Sequence, residues 1–368
     1  MLATLTRRES IYLDIVRSLA AIDVVFGHAA ELFTLPSTGL WGHQAIMVFF
    51  VLSGYVIAYV ADTRETGLRV FLIARLARLW SVLVPALVLT VVCDIVGRTF
   101  GTDPRGFAGS PADLPMIRIG AMLAFVSESW VSIQPLSNGA AWSLCLEFWY
   151  YVMFGLWVFL RPGWIRAAVV LGAGLLAGHK GLLLFPVWLM GVALQRVPVI
   201  RRHPAWVDLA LWAGGLLVMA WIVLTRAYDP AIAAMQNAVT PWFFTQLAQA
   251  RVFWLDWLFG FAVAAHLLGA RQVASWLPLE RIAVSSKWCA GVSFAAYLFH
   301  FPLLHLWAAF LPPDKGWLAI ALTLAVIGVL GPPAERSKGA WRRLLTAAWA
   351  WTERHILSRW ASLRRDPA

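Results

Sequence analysis

HQAIMVFFVLSGYVIAYVAD, residues 43–62, decides the fold: it contains no Lys, Arg, Asp or Glu before Asp62. At 1.5 Å per residue, a helix of that length spans about 30 Å, the thickness of a bilayer's hydrocarbon core. LWSVLVPALVLTVVCDIVG at 79–97 has the same character. Working outward, the apolar runs 11–33, 138–160, 165–178, 182–196, 206–224, 251–269, 289–311 and 316–332 complete about ten candidate spans. Runs 165–178 and 182–196 are short and flank Gly178-His179-Lys180-Gly181, which reads as a broken hairpin or a re-entrant pair. The stretch 116–133 is interrupted by Ser127, Glu128 and Ser129 and reads as a segment partly inserted from the outer side.

Composition agrees. Of 368 residues, 61% are hydrophobic and 13% charged, against about 25% charged in an ordinary soluble domain. Mean hydropathy is +0.72. These figures exclude a soluble enzyme, a disordered chain and a fibrous protein, and a membrane barrel would show short alternating segments instead. The expectation is an all-α, polytopic membrane helix bundle. The first run follows Arg7 and Arg8 without a small-residue cleavage site and reads as a retained helix. Cys93, Cys145 and Cys289 are odd in number and widely spaced, which suggests neither a disulfide framework nor a metal site.

The net charge of +11 reads as basic cytoplasmic loops, not as a nucleic-acid surface. With the N-terminus inside, 22 of the 30 Lys and Arg fall in cytoplasmic segments. The positive-inside rule therefore predicts both termini in the cytoplasm. The chain divides into a membrane part, 1–335, and a basic tail, 336–368. From Trp341 to Arg365 the tail mixes Trp, Leu and Arg at helical spacing and reads as an amphipathic helix on the anionic inner surface.

Ionisable groups inside spans are functional candidates by default. The first span holds Asp14, Arg17, Asp23 and His28. Asp14 and Arg17 are spaced to pair. Arg17 and His28, eleven residues apart, face the same way within about 20° and stand roughly 16 Å apart along the axis. They can hold two ends of one long ligand, although a lone buried histidine also serves helix packing. Ser53-Gly54 suits close backbone approach. Arg75 and Arg78, read as a loop pair just before the third span, are either topology anchors or a fork for phosphate. Glu147 lies about one and a half turns into the fourth span and needs a cationic or imidazole partner. His300 sits beside Pro302, which reads as a kink.

Together these residues resemble the acyltransferase-3 family of membrane acyltransferases, which O-acylate bacterial surface carbohydrates. Arg17 and His28 resemble its Arg-x10-His opening. Phe49-Phe50-Val51-Leu52-Ser53-Gly54-Tyr55 is close to FFxLSGF, and Arg75-Leu76-Ala77-Arg78 to Arg-x-x-Arg. Trp142-Ser143-Leu144 with Glu147, then Tyr297 with His300-Phe301-Pro302, complete a match over roughly residues 10–335. Ser18 replaces a usual Gly, and Phe148 stands where a second Glu is common. Glu335 is followed by Arg336 and Ser337 instead of the family's Glu-x-Pro, so it is left out of the site.

The resemblance implies an inner-membrane O-acyltransferase that takes an acyl group, most often acetyl, from cytoplasmic acyl-CoA to a sugar hydroxyl. His28 would be the general base, with Glu147 orienting it or a donor arginine. Arg17, Arg75 and Arg78 would bind the donor's phosphates, and Asp14, Ser53, Tyr297 and His300 would support the site. No resident cofactor or metal is implied. The partners are acyl-CoA, a carbohydrate or glycolipid acceptor and the bilayer, without nucleic acid; a homo-oligomer is left open. The rival readings are a transporter or flippase, favoured by charges within the spans, and a membrane sensor or assembly subunit.

Overall fold

The computed structural model describes residues 5–36, 42–196 and 204–363, with side chains up to residue 355. Arg201 and Arg202, counted above among the cytoplasmic residues, and Arg364 and Arg365 of the tail lie outside the described residues. The α-helices are α1 (Arg7–Leu32), α2 (Gly42–Thr63), α3 (Leu68–Phe100), α4 (Pro115–Leu123), α5 (Trp142–Phe159), α6 (Trp164–Arg196), α7 (Ala205–Leu224), α8 (Tyr228–Ala238), α9 (Pro241–Leu247), α10 (Phe253–Trp276), α11 (Ala283–Phe310), α12 (Gly316–Arg336) and α13 (Lys338–Leu363). The described residues contain no strand.

Eight helical stretches among the described residues are long and apolar enough to cross a membrane. The expected count of about ten added α1 and took 164–196 as two spans. α1 falls outside the eight, carrying Asp14, Arg17 and Asp23 in its middle. α6 counts once, but Gly178 (φ 79, ψ 174) breaks it into limbs 164–177 and 179–196. A Cβ on Gly174 would lie 3.1 Å from Leu182 Cδ2. Eight residues of straight helix span about 12 Å, so the limbs fold toward one another at the crease. Only glycine fits there, because a Cβ on Gly178 would lie 1.7 Å from the Ser129 carbonyl oxygen.

That carbonyl belongs to the expected outer segment. Residues 116–133 form α4 from its second residue on and then an irregular stretch that folds into the protein. Glu128 is buried there and receives Lys180 Nζ at 2.6 Å; Lys180 also donates to Ser132 at 2.7 Å. A second difference concerns the arginine pair. Arg75 and Arg78 lie within α3, not in a loop. α3 has 33 residues, about 50 Å of helix, and its polar first turns continue the apolar span without interruption.

α1 starts with a capping box: Thr6 Oγ1 accepts from the Glu9 amide at 3.2 Å, and Glu9 returns a carboxylate to the Thr6 amide at 2.7 Å. α2 is the core element and packs on α1, α6 and α10. Its contact with α6 is backbone to backbone. A Cβ on Gly54 would lie 2.0 Å from the Trp188 carbonyl oxygen, and one on Gly191 2.0 Å from that of Val51. α1 runs parallel to α11, with Asp14 in electrostatic reach of Lys287 at one end and His28 bonded to His300 at the other. The tail is helical and tied to α3 by an Arg69–Glu353 ion pair at 3.0 Å and a Trp80–Trp341 edge contact.

Candidate active site

Between α1, α2, α3, α5 and α11 lies a narrow cavity of about 40 Å³. Arg17, Ser53, Arg78, Ser143, Glu147 and Tyr297 provide its polar lining, and Phe49, Phe50 and Phe294 face the same space. Five of the sequence candidates therefore meet here, drawn from five helices.

The polar groups are tightly held. Ser53 donates to Glu147 Oε1 at 2.5 Å and the Tyr151 hydroxyl donates to the same oxygen. Trp188 Nε1 donates to Ser53 Oγ at 3.2 Å. The Glu147 carboxylate is thus fixed by α2, α5 and α6, with Oε2 left outside this network. Its cationic neighbour is Arg17, which is also in electrostatic reach of Arg78, Glu335 and Tyr151. Arg78 lies over the Phe294 ring at 5.9 Å.

Glu335 of α12 is the site residue that sequence reading left out. Its carboxylate accepts from the Ala295 amide at 3.3 Å and sits in electrostatic reach of both arginines. Two guanidiniums and two carboxylates form a balanced group, which satisfies the rule that charges taken out of water are paired. The available signal was a lone acid directly after Pro332-Pro333-Ala334 at the end of an apolar span.

Arg75 is placed differently. Its guanidinium donates to Glu65 Oε1 at 2.9 Å and lies 5.3 Å from the Phe71 ring centre, and it does not line the cavity. Asp14 is also outside the cavity lining, toward Lys287.

His28 is outside the same lining, linked to it through α11. Tyr297 shares a hydrogen bond with Ser143 at 2.7 Å and donates to the Ala140 carbonyl. One turn further along α11 is His300, 6.2 Å from Tyr297 between ring centres. His300 Nε2 is 2.9 Å from His28 Nδ1, and the two rings stack at 5.1 Å. Phe301 meets His28 edge-on at 4.7 Å.

The hydrogen bonds settle which nitrogens carry protons. His300 Nδ1 is 3.0 Å from the Ala296 carbonyl oxygen. A carbonyl only accepts, so His300 Nδ1 carries the proton and Nε2 presents a lone pair. His28 Nδ1 must then donate to it, which places the His28 lone pair on Nε2. The Ala296 backbone thus orients a nitrogen two rings away for proton acceptance. Glu147 has its partners elsewhere and His300 occupies the orienting position beside His28.

Comparison with known proteins bears on this arrangement. A family profile described as an acyltransferase domain matches residues 10–332. The O-acetyl transferase of Shigella phage Sf6 is similar at 28% identity over 153 residues, covering 39% of this chain and 44% of that protein. The chain therefore spans less than half the length of this curated relative. No solved structure matches the chain. The profile takes in Arg17, His28, the Ser53 motif, Arg78, Glu147 and Tyr297 in a single continuous match, and on that ground the chain belongs to the acyltransferase-3 family.

Proposed function

We propose that this protein is an integral-membrane O-acetyltransferase of a bacterial inner membrane, moving acetyl from cytoplasmic acetyl-CoA to a hydroxyl of a surface carbohydrate or lipid-linked glycan. In this reading α1 and both limbs of α6 join the other apolar helices in ten crossings. Both termini are cytoplasmic, and the 336–368 tail lies on the inner surface. The observation that carries the reading is the alignment along parallel α1 and α11: an arginine-lined cavity at one level and, about 16 Å along the helix axis, a histidine whose lone pair is set by a second histidine.

Arg17 and Arg78 take the donor's phosphates as planar forks, with Arg75 and Glu65 bracing the side of α3. The phenylalanines line the way for the pantetheine arm. Glu147, held by Ser53 and Tyr151, keeps Arg17 in place until the anionic donor arrives. At the other end His28 Nε2 removes the proton from the acceptor hydroxyl as its oxygen attacks the thioester carbonyl. The carbon–sulfur bond breaks, the CoA thiolate leaves with the electron pair, and the His28 proton passes to it. The ester oxygen comes from the acceptor, so atoms and charge balance without another reactant.

The test is transfer of label from radioactive acetyl-CoA to chemically O-deacetylated surface polysaccharide by the purified protein. Wild type transfers label and releases CoA. His28→Ala loses at least about a hundredfold in rate, within the range for a removed general base, and keeps its CoA affinity and melting temperature. Retention of more than a tenth of the rate overturns the base assignment. A wild type that binds no acetyl-CoA overturns the enzyme reading in favour of a transporter.

A further inference from the structure

A second polar cluster stands at the first turns of α2 and α10. Asp256 is fully buried, and its Oδ1 accepts from His43 Nε2 at 2.7 Å and from the Tyr228 hydroxyl at 2.8 Å. The carboxylate accepts the hydrogen bond from the His43 Nε2 proton, which in the neutral ring leaves the lone pair on Nδ1. The His43 side chain is 21% exposed and therefore reachable. Asp256 Oδ2 has no hydrogen-bond partner, and neither has Oε1 of Gln44, which is 5% exposed. Two buried acceptors, Asp256 Oδ2 and Gln44 Oε1, thus lack donors beside the partly exposed His43 ring, and buried polar groups are normally satisfied.

The surroundings are aromatic. The His43 ring lies parallel to the Trp142 ring, 15° apart in plane with centres at 6.1 Å, and Tyr228 meets His43 edge-on at 5.6 Å. Flat aromatic walls with a few fixed polar atoms are the usual construction of a small-molecule subsite. The cluster also adjoins the machinery already described. Gly42, next to His43, approaches the His28 ring so closely that a Cβ there would lie 3.1 Å from Cε1. Trp142 is followed by Ser143, which lines the arginine cavity.

Resting on the transferase reading above, we infer that His43, Gln44, Tyr228 and Asp256, over Trp142, form the acceptor subsite, and that the acceptor is a hydroxyl-rich sugar ring. A ring bearing neighbouring hydroxyls supplies donors to both Gln44 Oε1 and Asp256 Oδ2 while its C–H face packs on the indole; a simple alcohol can fill one of them. The donor thioester arrives at His28 from the arginine side, and the sugar reaches the same histidine across Gly42.

The experiment measures three quantities on the full-length protein: KM for O-deacetylated surface polysaccharide, Kd for CoA, and melting temperature. His43→Gln and Tyr228→Phe are each compared with wild type. The expected result is at least a tenfold rise in acceptor KM in both, with CoA affinity within twofold; a melting temperature a few degrees lower is expected in either reading, because each variant alters a donor to a buried carboxylate. Tyr228→Phe removes a single hydroxyl and keeps the ring, so it carries the test if His43→Gln does not fold. Acceptor KM within twofold of wild type overturns the subsite. So does a fall in CoA affinity in step with the KM rise, which marks the cluster as a staple between α2, α8 and α10. A wild type that transfers to no glycan overturns the transferase reading and the subsite with it; transfer by wild type with unaffected variants overturns the subsite alone.

Discussion

Arg75 and Arg78 are separated by one helical turn and have different neighbours. Arg78 faces the cavity with Arg17, whereas Arg75 is committed to Glu65 and Phe71. The motif alone makes them equivalent, but the structure ranks them. Arg78→Lys is expected to weaken CoA binding about tenfold, or 1.4 kcal/mol, because an ammonium loses the bidentate fork. Arg75→Lys is expected to leave it within twofold. Calorimetric titration of CoA into each variant decides, and equal losses in both would place Arg75 in the donor site as well. The reason the sequence could not separate them is that Glu65 lies on the short link before α3, while Arg17 comes from a different helix altogether. The His28–His300 pair was legible in part. Each histidine stood out as ionisable inside an apolar run, but the bond between them joins positions 272 apart, and no local pattern encodes it. Glu335 was hidden for the same reason: its partners are on α1 and α3, and its own flanking residues break the family's terminal pattern.

At the scale of elements, hydropathy located the eight membrane-length stretches among the described residues but not their polar ends. α3 shows why: a window that scores apolarity stops where arginines begin, yet the helix continues, since Arg and Leu have similar helix propensity. The Ser53-Gly54 pair had two readings, and both residues are used. Ser53 joins the Glu147 network, while Gly54 lets α2 touch the α6 backbone. That contact yields a stability prediction. Gly54→Ala puts a methyl group on the Trp188 carbonyl, where no side chain can swing away, and overpacking of this kind costs about 1–3 kcal/mol. The variant is expected to melt several degrees lower in detergent. Because Trp188 also donates to Ser53, its acetyl transfer should fall as well. A melting temperature equal to wild type would show that the two helices can part without penalty.

For the whole molecule, the proposed placing of donor at Arg17 and acceptor at His28 on α1 would make the chemistry span the bilayer. Sealed, oriented vesicles with glycan acceptor supplied only outside are expected to transfer acetyl when acetyl-CoA is added to the cytoplasmic face, and to be inactive when it is added to the outer face. Equal activity from the outer face would refute this arrangement even with His28 catalytic. The crease at Gly178 bears on how such a molecule is made. The 164–177 limb is about 21 Å long, shorter than the hydrocarbon core it would cross in the ten-crossing arrangement proposed above. Threaded one limb at a time, it would stall partway. Entering as a bent pair with 179–196, it carries Lys180 at the leading edge, and Glu128 has already left the ribosome 52 residues earlier. In that arrangement the order of synthesis delivers the anion first, so the cation would find its partner on arrival instead of waiting exposed in lipid.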